Sequence, residues 1–175
     1  MGAIHKGVSP DLAEYMRDEY NLNTFVETGT YVGRTALWAS SRFKMVYTIE
    51  SDSDIYFRAQ KVLGGIRNVK LFMGLSQDML PIVMNMFTGL ALVWLDAHWS
   101  KDLGYEKFPE VICPVLQEIE AFSKDPRRHV ILIDDLRLFS GKHGWPTVTQ
   151  LEEQLKKAGK EVSYEEDVIV AVPND

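Results

Sequence analysis

Five places along this chain put acidic or mixed polar groups directly after a short apolar run. They are Glu27, Glu50, the segment Gly74-Leu-Ser-Gln-Asp78, Asp96 with His98 two residues on, and the pair Asp134-Asp135. Carboxylates gathered along one edge can accept hydrogen bonds from a ligand's ammonium and hydroxyl groups. They can hold a hard divalent cation such as Mg²⁺ through oxygen. Beside a histidine or lysine, here His98 or Lys101, they can share in moving a proton. One acid at the end of an apolar run is ordinary solvation. Its repetition after five successive runs points to a site.

The elements that must position these groups alternate. The pattern predicts helices over Pro10 to Tyr20, with Ser9 as N-cap and Pro10 at the first position, then Arg34 to Arg42, Ser53 to Leu63, Gln77 to Asn85, Val111 to Ser123 and Val148 to Ala158. Between them it predicts strands over Thr24 to Glu27, Met45 to Glu50, Val69 to Met73, Leu90 to Leu95 and His129 to Ile133. The Leu90 to Leu95 run is apolar throughout, as expected of a strand covered on both faces. In the helix over Val111 to Ser123, Glu118 and Glu120 are expected to face solvent. Two last strands, Glu161 to Tyr164 and Val168 to Val172, are joined by the turn Glu165-Glu166-Asp167 and are too close for a helical crossover. They should form a hairpin with the final strand antiparallel. The expected architecture is α/β: a seven-stranded, mostly parallel sheet with right-handed crossovers and helices on both faces. Residues 1–175 read as one domain, with an N-terminal helical segment over 1–22 and a loop over 97–110 long enough to serve an active site.

Composition narrows the partners. The chain has 175 residues, 46% apolar and 25% charged, with a formal net charge of −6 and one cysteine, Cys113. These are the proportions of an ordinary globular protein. The acidic balance argues against a nucleic-acid backbone as the partner. No run approaches the roughly 20 apolar residues of a membrane span. The N-terminus lacks the apolar stretch of a secretory signal, and one cysteine excludes an internal disulfide framework, so a cytoplasmic location is expected.

In open parallel sheets, ligands sit beyond the carboxyl ends of the strands, so the turn Glu27-Thr-Gly-Thr-Tyr-Val-Gly33 carries the most information. Gly29 and Gly33 permit a tight turn and close backbone approach. Their spacing is not the dinucleotide fingerprint. A carboxylate at Glu27 would repel a pyrophosphate but would suit the α-amino group of an amino-acid cofactor, whose carboxylate the amides of the turn and helix start could hold. Glu50 falls roughly 20 residues further on, where an acid takes ribose hydroxyls. The plainer alternative is that the glycines only shape the turn and Glu50 caps the next helix. Together the features favour S-adenosylmethionine over a nicotinamide cofactor.

The segments Glu27-Thr-Gly-Thr-Tyr-Val-Gly-Arg-Thr35, Tyr47-Thr-Ile-Glu50, Gly74-Leu-Ser-Gln-Asp78 and Val93-Trp-Leu-Asp96 resemble the successive motifs of class I methyltransferases. The likeness is to the small-molecule O-methyltransferases of the catechol O-methyltransferase type, over about Thr24 to Phe139. The resemblance implies the Rossmann-like methyltransferase fold and a hydroxyl-bearing small molecule as acceptor. It implies that Glu27, Gly29 and Thr35 contact the methionine part, with Thr28, Thr30 and Gly33 in the same turn. It implies Glu50 for the ribose, Ser76 and Gln77 near the adenine, and Ser51, Gly74 and Asp96 among the other cofactor-binding residues. Asp96 and Asp134 match the metal positions of that family, and Asp135 stands where its catechol enzymes carry Asn.

One departure matters. The family's Asp-His-Trp-Lys run becomes Asp96-Ala-His-Trp-Ser-Lys101, with one extra residue before the His-Trp pair, so Lys101 and His98 both remain candidates for the base. The N-terminal cover of the catechol enzymes is also reduced, which leaves Trp99, Tyr105, Phe108 and Trp145 to wall an acceptor pocket, pack internally or meet another subunit. A homo-oligomer is therefore open. Arg137 offers Asp134-Asp135 a plain salt-bridge partner instead of an ion. Two other functions stay in view: a protein of this fold that binds cofactor without transferring, and a metal-dependent hydrolase built on Asp96, Asp134 and Asp135.

Overall fold

The computed structural model describes residues 7–99 and 111–174. Seven strands form one sheet: β1 (Thr24–Thr28), β2 (Met45–Glu50), β3 (Val69–Met73), β4 (Ala91–Leu95), β5 (Val130–Ile133), β6 (Lys160–Glu165) and β7 (Val168–Pro173). Their order is β3-β2-β1-β4-β5-β7-β6. Strands β1 to β5 pair in parallel, while β7 lies antiparallel between β5 and β6. The expected hairpin and the mostly parallel sheet are present.

Helices α1 (Pro10–Glu19), α2 (Arg34–Ser40) and α3 (Ser53–Leu63) cover one face. Helices α4 (Ser76–Met84), α5 (Val115–Ser123) and α6 (Val148–Lys157) cover the other. The sheet's period of two separates the chemistry by face. Phe25, Val46, Leu92, Trp94 and Leu132 point toward α1–α3, and Val26, Ile49, Val93, Leu95 and Ile131 point toward α4–α6. Strand β4 is buried at every position, as its apolar sequence requires. Among the described residues no helix is long and apolar enough to cross a membrane.

Two sequence expectations change. The helix expected from Val111 begins at Val115, with Pro114 as its N-cap. Proline has no N–H to give a preceding turn and pushes the residue before it out of the helical region. Glu118, expected at the surface, is 1% exposed. Val115, Ile119 and Phe122 form the buried stripe of α5, and Glu118 lies within that stripe.

Arg127 clips the two sheet-edge loops together. Its guanidinium donates to Met84 O and Phe87 O, both at 2.6 Å, pairs with Asp125 at 2.5 Å and lies over the Phe87 ring. These carbonyls end α4 and the turn that follows it. Arg127→Ala is therefore expected to cost about 2–3 kcal/mol, a fall of roughly 5–10 °C in the melting temperature of a chain this size. A circular-dichroism melt checks it; a change under 2 °C would refute the clip. His129 beside it is a core histidine. Its Nδ1 accepts from Ala91 N at 3.0 Å, and burial pulls its pKa down to about 4.

Candidate ligand and metal site

The carboxyl ends of β1, β2 and β4 meet at the turn after β1. Gly29 and Gly33 both adopt φ of +80°. A Cβ on Gly29 would overlap the Asp96 carbonyl oxygen at the end of β4 and stand 2.8 Å from its carbon. That glycine therefore allows the two strand ends to approach. Gly29 N and Thr30 N donate to Ile49 O, Gly33 N donates to Thr30 O, and Tyr31 N donates to Glu50 Oε2 at 2.9 Å. Four amides of the turn are thus engaged inside the protein. The expected capture of a ligand carboxylate by the turn narrows to the start of α2.

Glu50 does not cap α3. Asp52 does, accepting from Asp54 N and Ile55 N. Glu50 instead ties the β1 turn to the β2 turn, taking Asp52 N at 3.0 Å on its other oxygen. Burial raises its pKa, and those amide hydrogen bonds hold it back. Glu27 is sealed beneath the turn. It accepts from Thr48 Oγ1 at 2.6 Å, and Thr48 Oγ1 meets Thr30 Oγ1 at 2.5 Å. Burial pushes the Glu27 pKa up to about 8, against the hydroxyls of Thr48 and Thr35. Thr28 and Thr30 are buried with it, while Ser51 is exposed and Gly74 and Gln77 are half-buried.

On the opposite face of the sheet, Thr28, Ser76 and Glu118 come together, and sequence reasoning missed the third. Thr28 Oγ1, Ser76 Oγ and Glu118 Oε1 are all buried without a hydrogen-bond partner. The two hydroxyls still lie close enough to favour the charged carboxylate without reaching full hydrogen-bond geometry. Burial dominates and lifts the Glu118 pKa to about 7. The period of α5 carried the signal, since an acid at the centre of a buried stripe needs a reason to be there.

The aspartates separate into two groups that share Asp135. Ligand atoms of Asp96, His98 and Asp135 lie within 4.8 Å of one another, as do those of Asp134, Asp135 and Asp167. Asp96 and Asp134 thus fall in different groups, although each still feels the other. Burial raises Asp96 to about 7, with Asp135 adding to it, and raises Asp134 to about 8, with Asp96 and Asp135 adding. Asp135 sits in the left-handed region at φ +63°, a conformation that aspartate tolerates and that recurs at functional sites. Arg137 pairs with Asp135 Oδ1 at 2.5 Å and also with Asp167, so the plain salt bridge is real. Asp134 Oδ1 accepts from Asp135 N, and its Oδ2 is buried without a partner.

His98 lies between Asp96 and Asp135, and burial holds it neutral with a pKa of about 4. Its ring packs on Trp145, which in turn meets Phe139. Trp145 is therefore a wall of this cluster. Lys101, Tyr105 and Phe108, with most of the 97–110 loop, lie outside the described residues. Cys113 is buried with its thiol pushed up to about 12, which excludes it as a nucleophile at neutral pH.

No family model matches the chain, and no curated protein sequence does. Solved structures do match its fold. An O-methyltransferase from Bacillus cereus in complex with SAH superposes with a TM-score of 0.62 at 14% identity, over 94% of this chain and 82% of that one. The SAH-bound methyltransferase PaMTH1 of Podospora anserina gives 0.61 at 16%, over 94% and 82%. DesVI of Streptomyces venezuelae gives 0.63 at 15%, over 94% and 89%. At these identities the likeness is one of fold: the chain has the Rossmann-like methyltransferase architecture.

Proposed function

We propose that this chain is an S-adenosylmethionine-dependent O-methyltransferase acting on a hydroxyl of a small molecule, assisted by a divalent cation. The observation that carries the reading is the strand-end constellation. Glu27, Glu50 and Gly29 stand at the ends of β1 and β2, and Asp96 at the end of β4, in a fold whose solved examples include SAH-bound proteins. The orphaned hydroxyls of Thr28 and Ser76 beside Glu118 supply buried polar groups for a ligand at the ends of β1 and β3.

When bound, S-adenosylmethionine supplies an electrophilic methyl group on a sulfonium. The chain's own contribution is positioning. The Glu50 carboxylate fixes the turn around Tyr31, Gly29 brings β1 against β4, and Asp96 and Asp135 would hold an acceptor hydroxyl between them and the cofactor. The aspartate set, with an orphan oxygen on Asp134, has the donor chemistry for a divalent ion, and such an ion would lower the pKa of a hydroxyl it held.

Calorimetric titration with S-adenosylhomocysteine tests the cofactor. Binding in the micromolar range is expected; no binding at millimolar ligand would remove the reading. Asp134→Asn is expected to lower turnover on a diol acceptor by roughly 100-fold while changing S-adenosylhomocysteine affinity by less than about threefold. Chelator should have the same effect on the wild type. Turnover indifferent to both would strip the metal from the proposal. Binding without turnover on any diol would leave a cofactor-binding protein only.

A further inference from the structure

We infer that His98 is itself a metal ligand, so that the Asp96–His98–Asp135 cluster takes a first-row transition-metal dication such as Fe²⁺, Co²⁺, Ni²⁺ or Zn²⁺ in preference to Mg²⁺. The inference rests on the metal reading proposed above and names the ion's class.

The geometry gives the imidazole two carboxylate neighbours, one at each nitrogen. His98 Nδ1 stands 3.4 Å from Asp96 Oδ1, and Nε2 stands 3.2 Å from Asp135 Oδ2. Nitrogen–oxygen separations of this size are those between neighbouring donors on one transition-metal ion, where each bond is roughly 2.1 Å. One ring nitrogen can therefore share an ion with its carboxylate neighbour, while the other donates to the second carboxylate, the usual support of a metal-bound histidine. The donor atoms, within 4.8 Å of one another, need only a small inward movement to share one ion.

The histidine is also held in place. Its side chain is 9% exposed, and its ring lies 5.0 Å from that of Trp145. The next residue is anchored where Trp99 N donates to Ile112 O at 2.8 Å. Asp135 is fixed by its left-handed backbone and by Arg137, which occupies Oδ1 and leaves Oδ2 toward His98. A second observation also calls for a cation beside Asp135. Asp134, 4% exposed, carries the buried, unpartnered Oδ2 in the neighbouring group that shares Asp135. Oxygen-only sites suit Mg²⁺, whereas an imidazole nitrogen shifts preference toward the later transition metals.

Two measurements on the full chain test this. In the first, Co²⁺ and Mg²⁺ are titrated while following tryptophan fluorescence, to which Trp145 and Trp99 beside His98 contribute. Wild-type protein is expected to bind Co²⁺ well over tenfold more tightly than Mg²⁺. His98→Gln should weaken Co²⁺ by roughly 10–100-fold and Mg²⁺ by less than about threefold. In the second, which needs no variant, protein with ¹⁵N-labelled histidine is titrated with Zn²⁺. One ring nitrogen of His98 is expected to shift strongly and those of core His129 to stay. An unchanged Co²⁺/Mg²⁺ ratio in His98→Gln, or bound Zn²⁺ with an unmoved His98 signal, would overturn the inference and leave an oxygen-ligated ion standing. No binding of any of these ions at millimolar concentration would overturn the metal reading itself.

Discussion

Gly29→Ala is expected to lower the melting temperature by roughly 8–16 °C and to abolish S-adenosylhomocysteine binding. Two costs add. At φ +80° an alanine pays the left-handed penalty of about 1 kcal/mol. Its Cβ would then overlap Asp96 O and lie 2.8 Å from Asp96 C and 3.1 Å from Ala97 Cα. All three are backbone atoms, so no side chain can rotate away. Nor can the strand ends part easily, because Gly29 N is bonded to Ile49 O on one side and Asp96 N to Thr28 O on the other. Moving β1 from β4 at their ligand-facing ends costs about 3 kcal/mol more, in the range of core overpacking. Gly65→Ala is the control. Its φ is +94° with nothing within 4 Å of a new Cβ, so it should show the strain alone, a loss of about 1 kcal/mol. Thermal melts of the two variants side by side separate the terms. Equal, small shifts would mean that the β1–β4 approach yields freely.

Much of this architecture was legible because local and global signals agree. Helix α3 and strands β2 and β3 begin and end where their patterns predict: Asp52 caps α3, and the strands are short β-branched and aromatic runs. The antiparallel hairpin follows from a turn too short for a crossover. Helix α5 was misjudged because the apolar run starts before Pro114 and the proline overrules it. Within the site, residue types announced the strand-end acids but not how they group. Which aspartates share a neighbourhood depends on the left-handed turn at Asp135, which spacing does not reveal, and on where the extra residue before His98 sends the imidazole, which the insertion alone does not fix. Hence Asp96 joins His98 and Asp135, and Asp134 joins Asp135 and Asp167. The amide partners were also invisible. Nothing in the turn's sequence says that Tyr31 N goes to Glu50 rather than to a ligand.

Glu118→Gln is expected to make the protein more stable at pH 8 and weaker at binding its cofactor. In the unfolded chain this carboxyl ionises near 4.5, while in the fold burial holds it to about 7. Between those values the unfolded chain releases a proton that the folded chain keeps, so this group's contribution to stability falls as pH rises from about 4.5 to 7 and is level above. Glu27 acts in the same direction up to about 8. A glutamine of the same shape has no charge to desolvate and no repulsion from Asp96, and it can both donate to and accept from the hydroxyls of Thr28 and Ser76. The gain at pH 8 is on the order of 2 kcal/mol, or roughly 4–8 °C. The decline in melting temperature between pH 5 and 7 should become shallower, with Glu27, Asp96 and Asp134 contributing to what is left. The binding effect has a different origin. A carboxylate only accepts, so it draws both hydroxyl protons toward itself and leaves Thr28 and Ser76 with lone pairs for a ligand's donors. An amide can donate to them and reverse that polarity. A fall of about tenfold in S-adenosylhomocysteine affinity at pH 8 is expected, the worth of one hydrogen bond. Melts across pH 5–8 and a titration at pH 8 read the two effects independently. A gain in stability with unchanged affinity would reduce Glu118 to a buried acid with no part in the site, whereas both changes together would mark it as a group whose charge costs stability and serves the ligand.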